Sequence, residues 1–168
     1  MAYPATDATN APGWQAGPMR SAALLIVDAA NVVGSRPDGW WRDRAGATVR
    51  LRDRLAPLAS TGHRDLPPPL EVVLVVEGAA RDVAASAGIR VVSAPGSGDD
   101  TIVELVRSAG PERCCVVVTA DRGLRARVAA LGAQVRGPSW LNTPGTGRHA
   151  GTPPGPVTDG EPDERPRR

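Results

Sequence analysis

The sequence predicts an α/β fold built on a mostly parallel, five-stranded sheet with helices on both faces. Three observations carry this. Short apolar runs recur along the chain, the clearest being Leu24-Leu25-Ile26-Val27. An unbroken run of that length reads as a strand buried on both faces, as in a parallel sheet. Helical stretches alternate with these runs, which is the signature of a sheet covered on both sides, with right-handed crossovers. Finally, acids follow three of the runs: Asp28, then Asp99 and Asp100, then Asp121. Open α/β sheets bind their ligands at the carboxyl ends of the strands.

In chain order, residues 23–28 form the first strand. The segment from Val33 to Arg44 holds Gly, Pro and Asp-Gly and reads as a loop. A helix is expected from about Ala47 to Ala59, with Val49, Leu51, Leu55 and Leu58 fitting one face only loosely and Pro57 placed to kink or stop it. Pro67-Pro68-Pro69 precedes the second strand, residues 71–76, and Glu77 to Arg81 lead into a short helical turn. The third strand is residues 89–93. A helix follows from about Thr101 to Ala109, where Thr101 and Glu104 have capping-box spacing and Asp99 or Asp100 can equally cap. The fourth strand is residues 114–119. A helix is expected over residues 122–131, with Leu124, Val128 and Leu131 on one face, and ends at Gly132. A short fifth strand spans residues 133–136, and Trp140 is expected to cover the sheet edge.

Three segments emerge: an N-terminal stretch, residues 1–20, a folded domain, residues 21–141, and a Pro/Gly-rich tail, residues 142–168. The two ends lack apolar periodicity and cannot offset their chain entropy, so they are expected to be disordered. The chain has 168 residues and a net charge of +2, too small to announce a nucleic-acid binder. Every basic residue is Arg, which suits phosphate through its planar fork. Cys114 and Cys115 are adjacent, so in a strand they point to opposite faces and a mutual structural disulfide is not expected. They read as two buried, reduced thiols, fitting a cytoplasmic location. Neither a membrane span nor a signal peptide is recognisable.

Each acid has a plain structural alternative: Asp28 as a turn cap, Asp99, Asp100 and Asp121 as helix caps favoured by the helix dipole. Asn31 alone reads as a turn residue. Three acidic stations after strands of one sheet are a stronger signal, provided that the first and fourth strands are neighbours. Packed carboxylates repel, and without a cation some are driven to protonate. A hard, oxygen-liganded ion such as Mg²⁺ or Mn²⁺ removes that penalty. Other chemistries fit poorly. His63 and His149 lie in no triad order, Gly96-Ser97-Gly98 lacks the Lys of a P-loop, and Ala30 excludes the acid-x-acid pattern of a phosphatase nucleophile.

Val27-Asp28-Ala29-Ala30-Asn31, Gly98-Asp99-Asp100 and Thr119-Ala120-Asp121-Arg122-Gly123 together resemble the NYN domain, a branch of the PIN-like nucleases. The resemblance covers roughly residues 22–137. It implies a three-layer α/β/α fold with strand order 3-2-1-4-5 and metal-dependent cleavage of RNA. It makes Asp28 the first acid of the metal site, supported by Asn31, with Asp99 or Asp100 the second and Asp121 the third. All four acids are therefore candidate catalytic and metal-binding residues. Many members of that family carry another acid where this chain has Gly123, a departure that implies one firmly held ion and leaves room for a weak or inactive enzyme.

Arg36, Arg42, Arg44, Arg81 and Arg122 fall on loops or helix starts after strands, placed to contact phosphate without reading sequence. Trp40 and Trp41 between arginines are candidates to stack bases, although packing of one of them onto the sheet is the plainer expectation. The leading reading is a metal-dependent ribonuclease acting on single-stranded or structured RNA. The competing ones are a catalytically silent PIN-like module that binds RNA or a protein, and a hydrolase of small nucleotides. A second copy of the chain is a further candidate partner.

Overall fold

The computed structural model describes residues 21–142. The expectations for residues 1–20 and for the tail past Asn142 lie outside the described residues. Five strands form one sheet in the order β3-β2-β1-β4-β5: β1 Ala23–Asp28, β2 Leu70–Val76, β3 Arg90–Ser93, β4 Cys115–Val118 and β5 Gln134–Arg136. Every neighbouring pair is parallel. The expected order holds, and β1 is central, flanked by β2 and β4.

Alternation along the strands splits the core in two. Leu25, Val27, Val72, Leu74, Val116 and Val118 face one side, where they meet α1 (Ala29–Gly34), α2 (Arg44–Leu55) and α3 (Leu58–Thr61). Leu24, Ile26, Val73, Val75, Cys115 and Val117 face the other, against α4 (Gly98–Ala109) and α5 (Arg122–Ala129). Leu25, Ile26, Leu74, Ile102 and Leu124 are completely buried, each contributing about 1.5–3 kcal/mol of transfer free energy. This is the three-layer arrangement.

Several local expectations need correction. The chain after β1 is not yet loop: Asp28 caps α1 by accepting from the Asn31 N–H at 3.2 Å, and Val32 and Val33 are buried. Trp40–Arg42 form a 3₁₀ turn. The long helix starts at Arg44, ahead of Ala47, because Asp43 caps it through the Gly46 N–H at 2.8 Å. It stops at Leu55, and Pro57 opens the separate α3. The capping box at Thr101 does not form. Helix α4 begins at Gly98, Thr101 donates to the Ser97 carbonyl, and Glu104 pairs with Arg107. Cys114 is exposed rather than buried, and both thiols are free. Trp140, half-buried, packs edge-on against His63, centroids 4.4 Å apart, and against the core of the α1–α2 side. Among the described residues no helix is long and apolar enough to cross a membrane.

Candidate active site at the carboxyl edge of the sheet

The alternation that sorts the core also sorts the polar residues at the strand ends. Leu24 and Ile26 lead to Asp28, Val73 and Val75 to Glu77, and Cys115 and Val117 to Thr119. All three therefore leave the sheet toward the α4–α5 side, at its carboxyl edge. Asp99 in the first turn of α4 and Asp121 at the cap of α5 stand on that same side.

Asp28 is the most enclosed of the acids, 9% exposed. Its Oδ1 accepts the Asn31 N–H, and its Oδ2 accepts the hydroxyl of the fully buried Thr119 at 3.0 Å. Burial pushes its carboxyl above the usual range, those two hydrogen bonds oppose the shift, and the charges of Asp99 and Glu77 add to it. The Asn31 side chain supports this corner differently from a ligand. Its Oδ1 accepts the Ala120 N–H at 2.8 Å and so ties the start of α1 to the turn after β4. Asp121 caps α5 through the Leu124 N–H at 2.7 Å, while its own N–H donates to Thr119 Oγ1 at 3.1 Å.

The two acids at α4 separate. Asp99 is half-buried, and its carboxyl is raised by burial first, then by Asp121, against the lowering effect of Arg127, with Glu77 and Asp100 adding to the rise. Asp100 is exposed and turned to Arg127, 2.7 Å away. Asp99 is the member whose carboxyl is raised by the charges of Asp121 and Glu77.

Two contributors escaped sequence reading. Glu77 accepts the Gly98 N–H at 2.6 Å through Oε2, capping α4 from across the sheet, and its charge raises the carboxyls of both Asp28 and Asp99. An acid directly after the apolar run Val72–Val76 was the available signal. Thr119 stands within one of the resembling motifs without a role of its own there; a hydroxyl ending a buried strand was the clue.

The expected gathering of Asp28, Asp121 and one of Asp99 and Asp100 around a single point is not reached. Among the described residues, no group of three or more His, Cys, Asp or Glu side chains is arranged to hold a metal ion. The reason is local: Asp28 and Asp121 each commit an oxygen to a helix cap, and Asp100 is drawn off by Arg127. The donor set nevertheless suits a hard cation, being all carboxylate oxygen, with the Asp28 and Asp99 carboxyls both raised. Mg²⁺ keeps several waters and commonly takes only one or two carboxylates plus substrate phosphates, so a closed cage is not required.

The basic and aromatic candidates lie mostly on the α1–α2 side. Trp40 is half-buried, sits edge-on to Trp41 with centroids 6.3 Å apart, and lies 5.1 Å from the Arg44 guanidinium carbon. It lines a cleft of about 140 Å³ together with Ala30, Arg44, Thr48 and Glu77. Trp41 is 57% exposed. Arg42 closes the 3₁₀ turn, Arg122 opens α5, and both are exposed. Arg81 is exposed, its carbonyl accepting from Ser93. Arg36 donates to Asn142 Oδ1 at 2.5 Å. Only Arg122 stands directly beside one of the acids in sequence.

No model of a known family matches the chain, and no curated protein matches it. Solved structures do. The crystal structure of Rae1 (YacP) from Bacillus subtilis is 17% identical, with a TM-score of 0.60 and coverage of 71% of each chain. That of a tryptophan-to-leucine mutant of Rae1, also 17% identical, gives a TM-score of 0.57 over 71% of this chain and 72% of that one. At this identity the likeness is one of fold: this chain folds as Rae1 does.

Proposed function

We propose that this protein is a metal-dependent ribonuclease of the PIN-like, NYN type that hydrolyses RNA phosphodiester bonds at the carboxyl edge of its sheet. The observation that carries the reading is that Asp28, Glu77, Asp99 and Asp121 leave the carboxyl edge of the sheet on one side, with Thr119 joining Asp28 to Asp121. A buried carboxylate with further acids beside it is costly to a fold that has no use for it. The resemblance of the motifs around Asp28, Asp99 and Asp121 to the NYN domain supports the same reading.

Asp28, Asp99 and Asp121, with Glu77 beside them, would hold Mg²⁺ or Mn²⁺. Such an ion supplies an activated water and stabilises charge on the phosphate. The chain's own part is positional. Thr119 and Asn31 hold the Asp28 carboxylate and the β4–α5 turn in register. A bound cation would favour the ionised form of Asp28 and Asp99, since ligand carboxylates must be ionised. Arg122 binds phosphate beside the acids, and Trp41, with its face open to solvent, stacks a base.

The experiment is incubation of the protein with total RNA and with free nucleotides, each with Mn²⁺, Mg²⁺ or chelator. Cleavage of RNA that needs the cation supports the reading. Turnover of nucleotides alone replaces it with a small-nucleotide hydrolase. Tight RNA binding without cleavage replaces it with a silent binding module, the reading that Gly123 and the open spacing of the acids favour.

A further inference from the structure

A second cleft, of about 250 Å³, opens between α1 and α2. Val33 and Leu51 give it an apolar lining, and Arg36, Arg50, Arg54 and a single acid, Asp38, line the rest. Arg50 and Arg54 are one turn apart on α2, on the face that also carries Ala47 and Leu51. Arg36 arrives from the segment after α1. Three guanidinium groups thus share one recess with one carboxylate. Their partners are weak or neutral. Arg50 lies 3.6 Å from Asp43 with both side chains exposed, and Arg36 donates to the uncharged amide of Asn142. Among the described residues Arg54 makes no ion pair. Burial, then the nearby charge of Arg36, holds the Arg54 guanidinium below its usual range.

Like charges that outnumber their counter-ions raise the energy of the fold, and a multivalent oxyanion offsets this. Guanidinium forks match phosphate bidentately. We infer that the α1–α2 cleft is an oxyanion site that takes a backbone phosphate of the RNA at a distance from the acids. For its ligand this rests on the ribonuclease reading. Position supports the choice. The cleft shares Val33 with the recess lined by Trp40, Arg44 and Glu77. A strand leaving the acids over Glu77 passes Arg44 and Trp40 and then meets the arginines. From Arg44 to Arg54 the helix runs about 15 Å, at 1.5 Å per residue.

The test uses the full chain in chelator, so that nothing is cut. Arg50→Gln and Arg54→Gln are combined, because Gln keeps much of the stem that covers Leu51. Two readouts are taken: the rise in melting temperature with inorganic tripolyphosphate, and the affinity for a single-stranded RNA oligonucleotide across a salt series. Tripolyphosphate should stabilise the wild type and leave the double variant unmoved. RNA affinity should fall about tenfold, with the salt slope smaller by about one to two. Equal stabilisation of both proteins by tripolyphosphate would overturn the site, and an unchanged salt slope would overturn its assignment to RNA. If the wild type neither binds nor cuts RNA, yet tripolyphosphate stabilises it and not the variant, the RNA assignment falls with the ribonuclease reading while the oxyanion site stands.

Discussion

The Thr119 hydroxyl donates to Asp28 Oδ2 at 3.0 Å, and its oxygen accepts the Asp121 N–H at 3.1 Å. One hydroxyl, wholly shielded from solvent, thereby joins the acids that end two neighbouring strands. Thr119→Val keeps the shape and removes both bonds. The Asp28 oxygen and the Asp121 N–H then lose their partner in a poorly hydrated corner, which costs about 1–3 kcal/mol. The denaturation midpoint in chelator should fall with an unchanged slope, and Thr119→Ser should recover most of the loss. A Val variant as stable as the wild type would show that this hydroxyl organises nothing.

Asp28→Asn separates a strained ligand from a structural cap through pH. The Asp28 carboxyl is raised above 3.8 in the folded state, so the native protein binds its proton more tightly than the unfolded chain does. The stability associated with the protonated form is full below the unfolded value and is lost as pH rises through the folded one. Asn mimics the protonated acid and can still cap α1. In chelator the variant should match the wild type in acid and melt higher at neutral pH. With Mn²⁺ the order should reverse, because only the wild type gains a ligand. A variant that melts lower at neutral pH in chelator would make Asp28 a favourable structural acid, and RNA cleavage would be unaffected.

Glu77 has two separable roles. Glu77→Gln keeps an oxygen for the Gly98 N–H, so the start of α4 survives and stability changes little. Glu77→Ala removes that partner and costs about 1 kcal/mol, as loss of a helix cap does. Both remove the charge that raises Asp28 and Asp99. Direct titration of Asp28 by NMR should show its pKa moving down in both variants. An unmoved Asp28 would disconnect Glu77 from the acid cluster.

Asp99 and Asp100 are adjacent but should respond differently. Asp100 makes an exposed ion pair with Arg127, and such pairs are worth about 0–1 kcal/mol. Asp100→Asn should therefore leave Mn²⁺-induced stabilisation and RNA cleavage near wild type. Asp99→Asn, which removes the acid whose carboxyl is raised by Asp121 and Glu77, should abolish most of both. Equal losses in the two variants would assign the cation to the whole α4 terminus instead.

Much of this protein was legible in the sequence, because strand burial and strand ends are local signals. The run Leu24–Val27 read as a buried strand and is one, and Pro57 broke its helix where a ring without an N–H must. Asp28 and Asp121 were placed by their position after such runs. What the sequence could not decide were contacts made across strands. The cap of α4 comes not from Thr101 or an adjacent Asp but from Glu77, 21 residues away. Thr119 reaches Asp28 across 91 residues. Neither partner exists until the parallel order β2-β1-β4 sets three strand ends side by side. What distinguishes Asp100 from Asp99 is equally tertiary: it pairs with Arg127 in another helix. The same holds for the arginine cleft: Arg50 and Arg54 share a helix, but only packing of α1 on α2 brings Arg36 beside them. Sequence determined which residues stand at the ends of elements. The packing of one element on another decided which of them meet, because charge and hydrogen bonding act over a few ångströms of space and not along the chain.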